Sequence, residues 1–451
     1  MPPTPVSRRQ VLKASAAGAA FSIIPASTMG RAHAAPPSER VTLGLIGCGG
    51  HGAGWNLAQV FRNTDSEVIA VSDCDRQRQG AAQKKVAGHY RAVLGDRFRG
   101  CDAHNDFRDL IARKDIDAIV NCTPDHWHVI PSLMAARAGK DVICEKPLTL
   151  TVKEGQVLCK VVAEERRIFQ TASENRSIDT YIHLCECVRS GRIGKLQHID
   201  VSLPVGNRMR GPGFDIREVR PVPEHLDYDM WLGQAPKRPY VPARVHGSFR
   251  WHFDYSGGVF TDWGAHMIDL AQWGSDHQHT GPVEVQAEGH FPPEDSVFNT
   301  PDTFTASFRY ADGVTMEVTT RGPSIRFVGE DGWIGFRGWR GPLAAHDREI
   351  VETPISDDEV KLYRPDTIIA RTDGKGGEHR NFIDCVKSRT PCYAPAEIGH
   401  RTITCAHIGN ISMRLGGRKL KWNPDEETFE GDDEANAMLS REMRKPWTLD
   451  V

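Results

Sequence analysis

The sequence predicts an α/β chain: a doubly wound parallel sheet, then an α+β domain with a mostly antiparallel open sheet. Three observations predict it. Short apolar strands alternate with helical segments up to about residue 172, the pattern of right-handed crossovers between parallel strands. From about Ser173 this alternation stops, and runs alternating apolar with polar residues replace it. The length of 451 residues suits two or three domains.

The N-terminal residues stand apart from this pattern. Ser7-Arg8-Arg9-Gln10-Val11-Leu12-Lys13 reads as a twin-arginine export signal. The apolar stretch Ala14 to Ile24 follows, too short to span a bilayer, and Ala32-His33-Ala34 is a small-x-small cleavage site. The expected organisation is therefore a signal over 1–34, a nucleotide-binding domain over 35–172, a second domain over 173–420 and a tail over 421–451. The expected location is the periplasm or the exterior, with no membrane span after processing.

Composition narrows the class. Hydrophobic residues make 39% and charged residues 25%, as in ordinary globular chains. The net charge of -3 gives no electrostatic case for a nucleic-acid partner. Eleven cysteines are an odd set at irregular spacing with no C-x-x-C pair. They read as buried free thiols rather than a disulfide framework.

In chain order, Arg40 to Ile46 is a strand, Gly47-Cys48-Gly49-Gly50-His51-Gly52 a glycine-rich turn, and Ala53 to Arg62 a helix. The strand Glu67 to Ser72 ends at Asp73, 26 residues after Gly47. Strand, glycines, helix, strand and acid together form the fingerprint of a dinucleotide site. Gly47 allows the tight turn, Gly49 the approach of the pyrophosphate, and Gly52 the packing of helix on strand. Asp73 would hold both ribose hydroxyls and repel a 2'-phosphate, so NAD is favoured over NADP. The strands Ile116 to Cys122, Asp141 to Cys144 and Ile168 to Ala172 continue the sheet, with helices at Asp106 to Ile111, Val129 to Arg137 and Val152 to Arg166. Asp73, Thr123 and Lys146 all fall at C-terminal strand ends, where ligands bind in such sheets.

The second domain is expected to hold a helix at Tyr181 to Ser190 and strands at Leu196 to Pro204, Val283 to Gly289, Thr303 to Tyr310, Thr315 to Thr320 and Trp333 to Phe336. Ala311-Asp312-Gly313 is a hairpin signal. Helices near Arg380 to Lys387 and Ile398 to Leu415 are expected to return toward the first domain. The acidic stretch Asp425 to Glu434 reads as solvated surface.

Four segments carry a resemblance to a known family: Gly47 to Gly52; Thr123-Pro124-Asp125-His126-Trp127-His128; Glu145-Lys146-Pro147; and Gly257-Gly258-Val259-Phe260-Thr261-Asp262-Trp263-Gly264-Ala265-His266. In this order they resemble the glucose–fructose oxidoreductase/inositol dehydrogenase (Gfo/Idh/MocA) family over nearly the whole chain after the signal. The family often has Gly where this chain has Ala172, and an amide where it has Glu174.

The resemblance implies that Lys146 lies near a nicotinamide and hydrogen-bonds a substrate hydroxyl. A cation there stabilises a developing alkoxide. Without that context, a Lys beside a Glu is an ordinary solvated pair. Asp262 and His266 are four apart, so if Asp262 opens a helix both face one side. His266 is then suited to take a hydroxyl proton, with Asp262 on another hydroxyl or the imidazole. The plain alternative is a helix cap and a core histidine. Thr123, Pro124, His128 and Glu145 are expected around the nicotinamide, and Arg176, Asp262 and His266 on the substrate. His126 and Trp127 suit packing equally well. Asp262, His266, His126 and His128 can be drawn as a metal set, but no zinc-type spacing is present, so no metal is expected.

The resulting expectation is an exported NAD-dependent oxidoreductase acting on a secondary hydroxyl of a sugar, glycoside or polyol. Its cofactor is expected to be tightly held, and the chain to be a homodimer or homotetramer. Two alternatives stand beside it: an NAD-dependent glycosidase using transient oxidation and elimination, and a non-catalytic sugar-binding accessory protein.

Overall fold

The computed structural model describes residues 39–206, 209, 217–362 and 377–451. The expected signal over 1–34 lies outside the described residues. Six parallel strands form the first sheet: β1 (Val41–Ile46), β2 (Ser66–Ser72), β3 (Asp102–His104), β4 (Ala118–Asn121), β5 (Asp141–Cys144) and β6 (Phe169–Thr171). Their order is β3-β2-β1-β4-β5-β6. Strands β4, β5 and β6 are buried along their whole length, which is why they read as unbroken apolar runs. Separate apolar clusters cover the two faces. Helices start where side chains cap them: Asp75 caps Arg76–Leu94, Asp106 caps Phe107–Ile111, and Thr151 with Glu154 forms a capping box on Val152–Glu164. The strand order reverses between β1 and β4, which opens a crevice at their C-terminal ends.

The second sheet has nine strands: β7 (Leu196–Leu203), β8 (Glu284–His290), β9 (Thr303–Arg309), β10 (Thr315–Thr320), β11 (Ser324–Gly329), β12 (Trp333–Arg337), β13 (Leu343–Ala345), β14 (Leu420–Asn423) and β15 (Thr428–Phe429). Their order is β13-β12-β11-β7-β10-β9-β8-β14-β15. Among the described residues, β7 and β10 pair in parallel and the other neighbouring strands of this sheet pair antiparallel. On β9, Phe304, Ala306 and Phe308 face the core while Thr305, Ser307 and Arg309 face out. The helices Asp179–Arg189, Gly264–Gly274 and Ala396–Arg414 fill the inner face.

Two domain limits differ from expectation. The helix Gly377–Ser388 returns to the first domain, as its expected course implied, although it falls within the 173–420 limits: Phe382, Ile383 and Cys385 join the first domain's core. Arg380 and Lys387 pair with Asp65, and Arg389 with Asp141. The 421–451 segment is not a tail. Strands β14 and β15 extend the second sheet, and Met443, Trp447, Leu449 and Val451 pack against the first domain's other apolar cluster. Within the acidic stretch, Phe429 is buried, and Glu427 is buried against His400 at 2.6 Å. Among the described residues no helix is long and apolar enough to cross a membrane.

Candidate active site

β1 runs into a turn that only glycine can make. Gly47 has φ +89°, and a Cβ there would lie 2.4 Å from the Cys122 carbonyl oxygen. A Cβ on Gly52 would lie 2.0 Å from the Gly47 carbonyl oxygen. The turn therefore closes tightly on the following segment, a π-helical turn over Gly50–Asn56 leading into Leu57–Phe61. The first N–H groups of a helix have no partners within it and suit an anion. At the end of β2, Asp73 accepts from the Cys48 N–H at 2.7 Å and from the Asp75 N–H at 2.8 Å. Burial raises its pKa despite those donors. Cys48 contributes this N–H only; its thiol is buried against the Ser72 carbonyl. The crevice beyond has a volume of about 470 Å³ and is lined by both domains, within the usual range for a ligand pocket. A closed glycine turn, an acid at the next strand end and this open volume fit a dinucleotide.

At the other end, Lys146 follows β5. Its Nζ donates to Asp262 Oδ1 at 2.9 Å and to the Asp262 carbonyl at 3.2 Å. Asp262 ends the one-turn helix Val259–Asp262 rather than opening one, because a second helix starts at Gly264. Arg250 Nε stands 3.3 Å from the same Asp262 Oδ1. Despite burial, Lys146 and Arg250 hold the Asp262 carboxyl well below the usual carboxylate range. His266 lines the crevice, its ring in a cluster with those of Trp263 and Trp339. Burial first, and the Lys146 cation second, push its pKa well below the ordinary histidine value. The imidazole is thus neutral and able to accept a proton.

Glu145 accepts from Asn56 Nδ2 at 2.8 Å and faces His51 Nε2 at 2.9 Å. Despite burial, His51 and Asn56 hold its carboxyl far down, and Glu145 in turn raises His51. Asn56 Oδ1 lies 2.8 Å from His379 Nε2, on the helix returned from the far end of the chain. The His128 ring nitrogens face the Pro147 carbonyl at 2.7 Å and the Thr123 carbonyl at 2.8 Å. His128 therefore staples the loops after β4 and β5, beside Thr123 and Pro124, which line the crevice. His126 is a packing residue: it meets the Trp231 carbonyl at 2.9 Å among the rings of Trp231 and Tyr255.

Arg176 is a correction. It does not line the crevice. Its guanidinium is fully committed to Asp269, with Nε 2.9 Å from Oδ2 and Nη2 2.8 Å from Oδ1, and to Gln278. A buried carboxylate in the second domain's core claims it. Several crevice residues were not expected, among them the charged Arg250, Asp125 and Arg78. Arg250 sits in Ser248-Phe249-Arg250-Trp251, a stretch without motif spacing. Asp125 accepts from Ser256 Oγ at 2.5 Å, and burial pushes its pKa up to about 7. Arg78 lines the Asp73 end. Of these three, only Asp125 carried a signal, since it lies inside the Thr123–His128 motif.

Comparison with known proteins agrees with this arrangement. Residues 41–173 match the description "Oxidoreductase family, NAD-binding Rossmann fold", and residues 183–449 match "Oxidoreductase family, C-terminal alpha/beta domain". The chain is 24% identical over 350 residues to an inositol 2-dehydrogenase of Rhizobium meliloti, covering 77% of this chain and 89% of that one. Its fold resembles that of the aldose-aldose oxidoreductase from Caulobacter crescentus, with TM-score 0.60, 15% identity, and 85% and 99% of the two chains covered. It also resembles the WlbA dehydrogenase from Bordetella pertussis, solved with NADH and UDP-GlcNAcA, with TM-score 0.58, 18% identity, and 85% and 99% covered. With a nicotinamide-cofactor domain at one end of the crevice and a second domain closing the other, the chain belongs to the Gfo/Idh/MocA oxidoreductase family and is a dehydrogenase.

Proposed function

We propose that the protein oxidises a secondary hydroxyl of a sugar, glycoside or polyol with NAD. The observation that carries this reading is that Lys146 and His266 both line one end of the crevice, with Asp262, which does not line it, hydrogen-bonded to Lys146 across the domain boundary. Gly47, Gly49, Gly50, Gly52 and Asp73 would hold the dinucleotide, with Thr123, Pro124, His128 and Glu145 nearer its nicotinamide. A nicotinamide held there would supply the acceptor for a hydride from the carbinol carbon. Neutral His266 takes the hydroxyl proton. The Lys146 ammonium stabilises the charge that gathers on the oxygen. Asp262 aims Lys146 and Arg250 and keeps both desolvated cations compensated.

A second reading, glycoside cleavage with the cofactor oxidised and then restored, is favoured by one observation. The second domain straps the Asp73 end of the crevice. The Arg76 N–H donates to the His225 carbonyl and the Asp227 N–H to the Cys74 carbonyl, both at 2.9 Å, around an Asp75–Leu226 bridge. A cofactor held under such a strap suits recycling in place. A glycoside panel separates the readings. NADH accumulating in proportion to substrate supports net dehydrogenation, and free sugar without NADH supports cleavage. Neither signal from any glycoside or polyol overturns both and leaves a binding protein.

Asp73 supports NAD over NADP. Titration should give the tighter binding to NAD, and Asp73→Ser with Cys74→Arg should move the preference toward NADP; equal or tighter binding of NADP by the natural protein contradicts this. Export by the twin-arginine route is our reading of residues 1–34. The double variant Arg8→Lys, Arg9→Lys should remain as unprocessed precursor, and normal processing would refute the assignment. Association into dimers or tetramers through the open nine-stranded sheet is supported by its long outer face. Light scattering at micromolar protein should return a multiple of the chain mass.

A further inference from the structure

All eleven cysteines are free; besides Cys385, seven are buried and Cys74, Cys122 and Cys159 are partly buried. In those ten, burial is the leading cause of a raised thiol pKa. Cys385 departs from the rest. It lies in the helix Gly377–Ser388, and its sulfur gathers hydrogen-bond donors. Asn381 Nδ2 donates to it at 3.5 Å and Thr390 Oγ1 at 3.8 Å. The Cys392 thiol also donates to it. These donors, Cys392 foremost, outweigh burial and lower its pKa. Thiolate character is what makes a cysteine a nucleophile.

The backbone holds the pair together. Arg389, at φ +60°, reverses the chain after the helix. The Pro391 carbonyl then lies 3.5 Å from Cys385 Sγ, so the residue next to Cys392 rests against that sulfur. Both cysteines are buried, yet residues 387–391, which form the turn between them, are exposed. A small oxidant needs only that turn to open locally. Other cysteines stand near one another, such as Cys48 and Cys122, but no hydrogen bond joins their sulfurs and burial raises both.

We propose that Cys385 and Cys392 form an oxidisable dithiol site that closes into an intrachain disulfide on reaction with a low-molecular-weight disulfide of the glutathione type. The Cys385 thiolate attacks one sulfur of the oxidant, whose S–S bond breaks and releases one glutathione thiolate. Cys392 then gives up its proton and attacks the Cys385 sulfur of the mixed disulfide, releasing the second glutathione. The protein loses two electrons and two protons, and the oxidant gains them as two thiols. The bridge would tie the end of the helix that carries His379 to the segment that carries Tyr393 and Ala394. Tyr393 hydrogen-bonds Ser177, and the Ala394 carbonyl accepts from Thr171 at the edge of β6.

The test uses the full chain and needs no substrate. The protein is held in excess oxidised glutathione, the remaining thiols are alkylated, and tryptic peptides are mapped by mass. Trypsin separates the Cys385 peptide (381–387) from the Cys392 peptide (390–401). In the oxidised protein the two should run as one species, lighter by two hydrogens than their sum. Reducing agent should restore both. In Cys392→Ser, which lacks the second thiol, Cys385 should accumulate a glutathione adduct; in Cys385→Ser, Cys392 should remain a free thiol. The proposal is overturned if natural protein keeps both thiols alkylatable, if the bridge forms elsewhere, or if Cys392→Ser gains no adduct.

Discussion

Lys146→Ala should lower turnover roughly 100- to 1000-fold, the usual loss when a positioned electrostatic donor is removed from a desolvated site. The fold should survive, because Asp262 keeps Arg250 as a counter-ion. His266→Ala should cost about 10²–10⁴ in turnover, the usual worth of a general base. The two variants differ in pH behaviour. Protonating His266 switches the base off. Its depressed pKa places that event below the ordinary histidine value of about 6.5. The acid limb of kcat/KM in natural protein should therefore fall below that pH, and the limb should vanish in His266→Ala. Cofactor binding should barely change in His266→Ala, since His266 belongs to the second domain. Both variants must be compared at matched folded protein, measured by thermal melting. Near-normal turnover in either one, on a substrate the natural enzyme oxidises, sinks the assignment.

Asp269→Ala should destabilise the protein by about 3–5 kcal/mol, the cost of stripping one partner from a buried ion pair. The pair is nearly dry, with side-chain exposures of 2% for Arg176 and 0% for Asp269. Without Asp269 the guanidinium keeps only Gln278 and the face of Trp273. Replacing both partners, as Arg176→Met with Asp269→Leu, should recover most of the loss, because neither charge is then stranded. Denaturant or thermal unfolding measures both. An Asp269→Ala variant that melts with the natural protein contradicts the account.

These two sites also mark where the sequence was legible. The Gly47–Asp73 fingerprint and Lys146 were readable because their geometry is local: a strand end fixes where the next residue points. Asp262 and His266 come together as their spacing suggests, although the helix breaks at Trp263 between them and only His266 lines the crevice. Arg176 was misassigned because its partner lies 93 residues away, and polarity alone cannot tell a ligand-binding arginine from a buried one. Asn56 and His379 are 323 residues apart, and nothing in either neighbourhood announces the other. The helix Arg76–Leu94 carries little sequence signal because only Ala82, Val86, Tyr90 and Leu94 turn inward, a stripe one residue wide in a polar segment. Strands β3, β13 and β15 have two or three residues each, too few to show a period.

The chain's return to the first domain has a consequence for modularity. Phe382 and Ile383 complete an apolar cluster begun by β1 and β2, while Trp447 packs edge-on to Trp127 at 4.7 Å on the opposite face. A fragment cut after residue 172 would keep the nucleotide fingerprint but lose one plug from each side of its sheet. The nucleotide-binding half is thus a spatial unit without being a contiguous one. Recombination that joined it to a new partner by a single crossover would deliver a sheet with two open wounds. Any transplant of this cofactor site must carry the returning helix and the C-terminal residues with it.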